Sequence, residues 1–127
     1  MADVNRGNRP LSPHLQIYRP QLTSITSILT RISGNALIVG ALLTVWWLLA
    51  AATSPEYFAV VDGIWTSLLG KLIQLGSVWA LWYHALAGAR HLYWDTGRGL
   101  EIETAEKLGI ACIAGSVVLT VLTFLLL

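Results

Sequence analysis

Three stretches of this chain carry no Asp, Glu, Lys or Arg: residues 32–55, 72–89 and 108–127. A helix rises about 1.5 Å per residue, so some 20 such residues match a hydrocarbon layer of about 30 Å. Only a helix satisfies its own backbone there, because a lone strand would leave its N–H and C=O groups unpaired in lipid. The composition agrees: 55% of the 127 residues are hydrophobic and 12% charged, against about 25% charged in a soluble domain. The expected fold is all-α and integral to a membrane: one anchor domain over residues 1–127, with transmembrane helices at about 32–55, 64–93 and 106–127. A net charge of +1 gives no field for nucleic acid. Cys112 is the only cysteine, which excludes an internal disulfide, a cysteine-ligated iron–sulfur cluster and a thiolate zinc site.

The basic residues set an orientation. Arg6, Arg9, Arg19 and Arg31 precede the first span, and Arg90, Arg98 and Lys107 lie between the second and third. The other side has only Lys71, at the mouth of the second span, where its side chain can snorkel. Seven basic residues against one place the N-terminus and second loop in the cytoplasm and the C-terminus in the periplasm. Residues 1–22 are polar and hold Pro10, Pro13 and Pro20, so they read as an extended segment. Residues 23–31 read as a short interfacial helix, and the first loop, about 53–63, as a connection rich in interface aromatics. Residues 1–22 resemble neither a signal nor a transit peptide, so a bacterial inner membrane is expected. Ala36/Gly40 and Ala111/Gly115 are small-xxx-small pairs expected to bring helices together.

Chemistry concentrates in the second span. Ser77, Leu81, His84, Gly88, His91 and Asp95 recur at alternating steps of four and three and share one helix stripe. His84 lies seven residues inside His91, about 10.5 Å deeper. An ionisable side chain at that depth is a functional candidate. Two readings are compatible with the spacing: an interhelical hydrogen-bonding residue, or an axial haem ligand with Ala80 and Gly88 leaving clearance for the macrocycle. His84 and His91, on one face of one helix, cannot bind opposite faces of one haem, so a second ligand would come from another chain. Arg90, His91 and Arg31 cluster at the boundary where haem propionates would emerge; by position alone, Arg90 and His91 read as anchors facing headgroups. Ser27 and Arg31, at i and i+4, read alone as a cap and a snorkelling cation. Cys112 and the six tryptophans read as packing and belt residues.

The run His84-Ala-Leu-Ala-Gly88-Ala-Arg90-His91-Leu-Tyr-Trp-Asp95-Thr-Gly97 resembles a signature of the succinate dehydrogenase cytochrome b subunits, H-x-x-x-G-x-R-H-x-x-x-D-x-G. Upstream, Arg9-Pro-Leu-Ser-Pro-His14 and the stretch from Ser24 to Gly34, SITSILTRISG, are similar to that family's RPLSPH…S-x-x-H-R-x-S-G, which precedes its first span. Two signatures and three spans in matching order cover most of the chain. The sequence departs from the family at Thr30, where the family commonly has histidine, and at Ala89, usually a larger apolar residue.

The resemblance implies a haem b-binding membrane anchor of succinate dehydrogenase. His84 aligns with the axial ligand to the haem iron, the opposite ligand coming from a second small anchor subunit. Ser27 and Arg31 align with residues of the ubiquinone site near the iron–sulfur subunit. Arg31 also borders the haem propionates, and His91 lies in that region. The further partners implied are a flavoprotein subunit and membrane lipid. The chain has no flavin or dinucleotide fingerprint, so it is expected to contribute to quinone reduction as a non-catalytic subunit. A cofactor-free anchor of the same complex, an anchor of a quinol:fumarate reductase and, more distantly, a small transporter or channel subunit are the competing readings.

Overall fold

The computed structural model describes residues 18–126. They form four helices, α1 (Leu22–Thr53), α2 (Pro55–Trp65), α3 (Leu68–Asp95) and α4 (Ile102–Leu126), and no strand. His14 and most of the polar N-terminal segment lie outside the described residues.

α1 starts just after Pro20, where the Gln21 N–H donates to Ser24 Oγ at 3.1 Å and Ser24 Oγ donates back to the Gln21 carbonyl at 2.8 Å. The helical pattern read at residues 23–31 is helical and runs straight into the first span, making α1 32 residues long. Pro55 cannot continue α1 but suits the first turn of a new helix. Ser54 caps that helix by accepting from the Tyr57 N–H at 3.1 Å. The stretch read as a loop is therefore largely helical: α2 takes up residues 55–65 and the second span begins at Leu68. Two indoles of α1 pin α2 in place, Trp46 Nε1 donating to Tyr57 Oη at 2.7 Å and Trp47 Nε1 to Asp62 Oδ1 at 3.0 Å.

The α2–α3 corner bends by 72°. Gly70 makes it possible, because a Cβ there would run into the backbone carbonyls of Ile64 and Trp65. Between α3 and α4 the chain reverses at Gly97 and Gly99, with φ of 75° and 70°, a region costly for residues with a Cβ. At Gly99 a Cβ would also strike the Tyr93 ring.

α1 and α4 are each long and apolar enough to cross a membrane, and α3 meets that description together with α2. At 28 residues, about 42 Å, α3 is long enough to be the remaining, middle span, and it packs against both neighbours. This is an integral membrane protein.

Side-chain size, rather than polarity, defines the buried faces. Tyr83, Ala87 and Cys112 form the centre, with Leu29, Trp79, Leu86 and Ile113 around them. α4 buries Ala105, Gly109, Cys112, Ser116 and Thr120, a stripe of small side chains that lets backbones approach where no hydrophobic drive exists. The expected pairs are offset from this stripe: Ala36 and Ala111 are exposed, while Gly40 packs on Ser77 and Gly115 on Leu86. Buried hydroxyls satisfy themselves on their own helices: Thr26 donates to the Thr23 carbonyl, Ser116 to Ile113 and Thr120 to Ser116.

Candidate functional site

His84 projects from the middle of α3 onto α1 at Thr30, Ser33 and Gly34. Its Nδ1 is 3.1 Å from the Thr30 carbonyl oxygen and 3.3 Å from Ser33 Oγ. A carbonyl only accepts, so Nδ1 carries the proton and donates it, and in the neutral ring Nε2 keeps its lone pair. Gly34 permits this approach, since a Cβ there would sit 3.1 Å from His84 Cε1. Beyond His84, α1 and α3 enclose an open groove of about 430 Å³ whose walls include Ser33, Ala36, Gly40, Gly76, Ser77 and Ala80. One turn the other way, Gly88 faces open space.

This arrangement offers one imidazole nitrogen near a groove whose wall combines these small residues with Ile32, Val39, Ile73 and Trp79. The residues fit one axial ligand to a flat metal macrocycle, with a second ligand required from elsewhere. No group of three or more His, Cys, Asp or Glu side chains among the described residues would hold a metal ion. A Cβ at Gly88 would meet nothing within 4 Å, as at Gly76 on the same helix. Ala80 is 2% exposed and belongs to the packed α1–α3 face, where it shapes the groove wall.

His91, on the same stripe, is exposed. Its Nδ1 donates to the Ala87 carbonyl at 2.7 Å, and its ring meets Trp94 edge-on at 5.1 Å. Ser27 and Arg31 are exposed on α1, one turn apart; Ser27 precedes the residues that meet His84, and Arg31 falls between two of them, Thr30 and Ser33. Their side chains are available to a molecule outside the bundle. Arg90 departs from the boundary reading: it is 5% exposed and turned into the bundle rather than toward headgroups. Its guanidinium lies over Trp94 at 4.6 Å, and Nη1 approaches Gly109, where a Cβ would be 3.4 Å away. Arg90 falls three residues past Ala87 and seven past Tyr83 on the buried face of α3, hence its inward course. Arg90 Nε and Nη1 have no hydrogen-bond partner among the described residues.

Thr30, the departure from the family's histidine, and Ser33 are the α1 residues that His84 meets. Thr30 acts through its main-chain oxygen, while its hydroxyl donates to the Thr26 carbonyl at 2.9 Å. The contact to His84 is therefore independent of the side chain at position 30. Tyr83, next to His84, ties the same helices by donating its phenol to the Thr26 carbonyl at 2.8 Å. A second cavity, of about 400 Å³, lies toward α2 and includes Thr44, Trp65, Gln74 and Thr123. Its polar groups are engaged internally, Gln74 Nε2 donating to the Trp65 carbonyl at 2.7 Å and Thr44 to that of Gly40 at 2.9 Å.

Residues 5–123 match the family model described as the succinate dehydrogenase/fumarate reductase transmembrane subunit. The chain belongs to this family. It is 64% identical over 125 residues to the succinate dehydrogenase cytochrome b556 subunit of Paracoccus denitrificans, covering 98% of this chain and 96% of that one. It is 39% identical over 114 residues to the subunit of the same name from Rickettsia conorii, covering 90% and 89%. The cytochrome b560 subunit of Marchantia polymorpha is 38% identical over 109 residues, covering 81% and 79%. The transmembrane-subunit family shown by these matches is consistent with the resemblance of the two signature runs.

Proposed function

We propose that this anchor binds one haem b through His84 Nε2, sharing it with a second small anchor subunit, and helps deliver electrons from the iron–sulfur subunit to ubiquinone. The observation that carries the proposal is the His84 Nδ1–H bond to the Thr30 carbonyl. It selects the tautomer that presents Nε2, as metal-ligating histidines require. The cytochrome b names of the relatives support the haem, and their succinate dehydrogenase names favour succinate oxidation as the direction.

A bound haem b would supply a one-electron reservoir within the membrane. His84 would hold the group through Nε2, next to the groove that Ser33, Ala36, Gly40 and Gly76 help to line. Arg31 and His91, both exposed, would counter the propionate charges. Ubiquinone is apolar and is met in the bilayer; its conversion to quinol takes up two electrons and two protons. Ser27 donates a hydrogen bond to a quinone carbonyl, and Arg31 stabilises the negative charge that develops on oxygen. The flavoprotein and iron–sulfur subunits dock at this end. The excess of basic residues there supports a cytoplasmic location for this end in a bacterial inner membrane, with the end of α4 on the periplasmic side.

The test uses the complex purified in mild detergent. Ser27→Ala and Arg31→Leu should slow ubiquinone reduction by roughly tenfold or more, the scale expected for losing an interaction of about 1.4 kcal/mol or more in the transition state. Succinate oxidation with a water-soluble artificial acceptor should be retained. Equal loss of both activities would reject the quinone assignment in favour of an assembly role.

A further inference from the structure

Ser33 does more in this bundle than satisfy its own hydroxyl. Thr26, Thr30, Thr44 and Thr53 each donate to a carbonyl three or four residues back, and Ser33 Oγ does the same to Thr30 at 2.9 Å. Ser33 alone among these also places its oxygen against a histidine, 3.3 Å from His84 Nδ1. The three groups form a closed triangle: the Thr30 carbonyl accepts from both His84 Nδ1 and Ser33 Oγ. With the Ser33 proton directed to that carbonyl, the oxygen turns its lone pairs toward the imidazole N–H. The His84 proton is thus shared between two acceptors. Ser33 is 2% exposed, so water does not screen this contact, and partial charges act more strongly than in a wet site. A Cβ at Gly34 would stand 3.1 Å from His84 Cε1 and 3.5 Å from Nδ1, so α1 leaves this edge of the ring little room.

We propose that Ser33 is a positioning residue that tunes the iron-bound histidine, lowering the reduction potential of the haem through the His84 Nδ1–H group; the proposal rests on His84 being the haem ligand. An acceptor at Nδ1–H enriches the ring in electron density and makes Nε2 a stronger donor. A stronger donor stabilises the ferric over the ferrous state, so the potential falls with the Ser33 oxygen present and rises without it.

The test is a potentiometric titration of haem b in the purified complex carrying Ser33→Ala, followed through its visible spectrum. Alanine is small and favours helix, so α1 retains its packing. At a fixed ambient potential the ferric-to-ferrous ratio should fall about threefold, equivalent to an upward shift of about 28 mV at 59 mV per tenfold for one electron. The low-spin spectrum should remain, showing that the ligand is kept. Ser33→Cys, whose sulfur accepts weakly, should shift the potential in the same direction by less. An unchanged potential in Ser33→Ala with haem bound overturns the proposal. Should Ser33→Ala lose its haem, Ser33→Cys decides: an upward shift supports the proposal and an unchanged potential rejects it. A wild-type complex without any haem b band would instead overturn the ligand assignment itself, a failure distinct from that of Ser33.

Discussion

Gly34→Ala should separate the stability of the bundle from the geometry of its histidine. The added Cβ would stand 3.1 Å from His84 Cε1 and 3.5 Å from Nδ1, and ordinary carbon contacts begin near 3.5 Å. The ring must withdraw by about 0.4 Å, which stretches its 3.1 Å bond to the Thr30 carbonyl beyond the usual limit of about 3.2 Å. Weakening that bond costs about 0.5–1.5 kcal/mol. Replacing a mid-helix glycine by alanine returns about 1 kcal/mol of helix propensity. The two effects nearly cancel, so the thermal midpoint of the purified complex should change little while the haem site changes markedly. The assays are thermal denaturation and the reduced-minus-oxidised haem spectrum of the same sample, with Gly63→Ala as the control. Gly63 has nothing within 4 Å of its added Cβ, so that variant should leave the spectrum alone. A Gly34→Ala complex with unaltered haem content, spectrum and potential would refute the argument that the α1 backbone at Gly34 holds the His84 ring.

Tyr83→Phe removes a phenol that donates to the Thr26 carbonyl inside the bundle. That carbonyl still accepts from Thr30 Oγ1, so the loss should be only about 0.6 kcal/mol, the average for interhelical hydrogen bonds in lipid, measured as a small fall in the detergent-denaturation midpoint. Gly70→Ala places a Cβ against the Ile64 and Trp65 carbonyls and should destabilise the corner by about 1–3 kcal/mol, the usual scale of overpacking. Protease sensitivity at the α2–α3 junction checks it; unchanged cleavage would show that the corner can relax.

The spans were legible because the few charged residues avoid lipid so strictly that their gaps mark the membrane. Finer features depended on signals of a different kind. Ser54-Pro55 carries the stop for α1 and the cap for α2, but the short aromatic segment between two spans is held as a helix by indole contacts to α1 that local sequence does not reveal. The helix faces were harder, because α1 and α4 are apolar all round and hydrophobic periodicity cannot select a packing face. Residue size selects it, as in the stripe of Ala105, Gly109, Cys112, Ser116 and Thr120. Arg90 illustrates the same point: its place near the boundary suggested headgroups, while its register with Tyr83 and Ala87 carried it inward. His84 stood out because a lone imidazole at that depth is unusual. Its partner could not be read, since the Thr30 contact is made by a main-chain oxygen common to every residue type.

The account turns on the bond between His84 Nε2 and a haem iron, and the most direct measurement is the reduced-minus-oxidised spectrum of the purified complex carrying His84→Ala. The account predicts that the low-spin haem b signal disappears, or converts to a form with a changed ligand, while the wild-type complex shows it in full. An intact low-spin signal of wild-type shape and amplitude in the His84→Ala complex would contradict it.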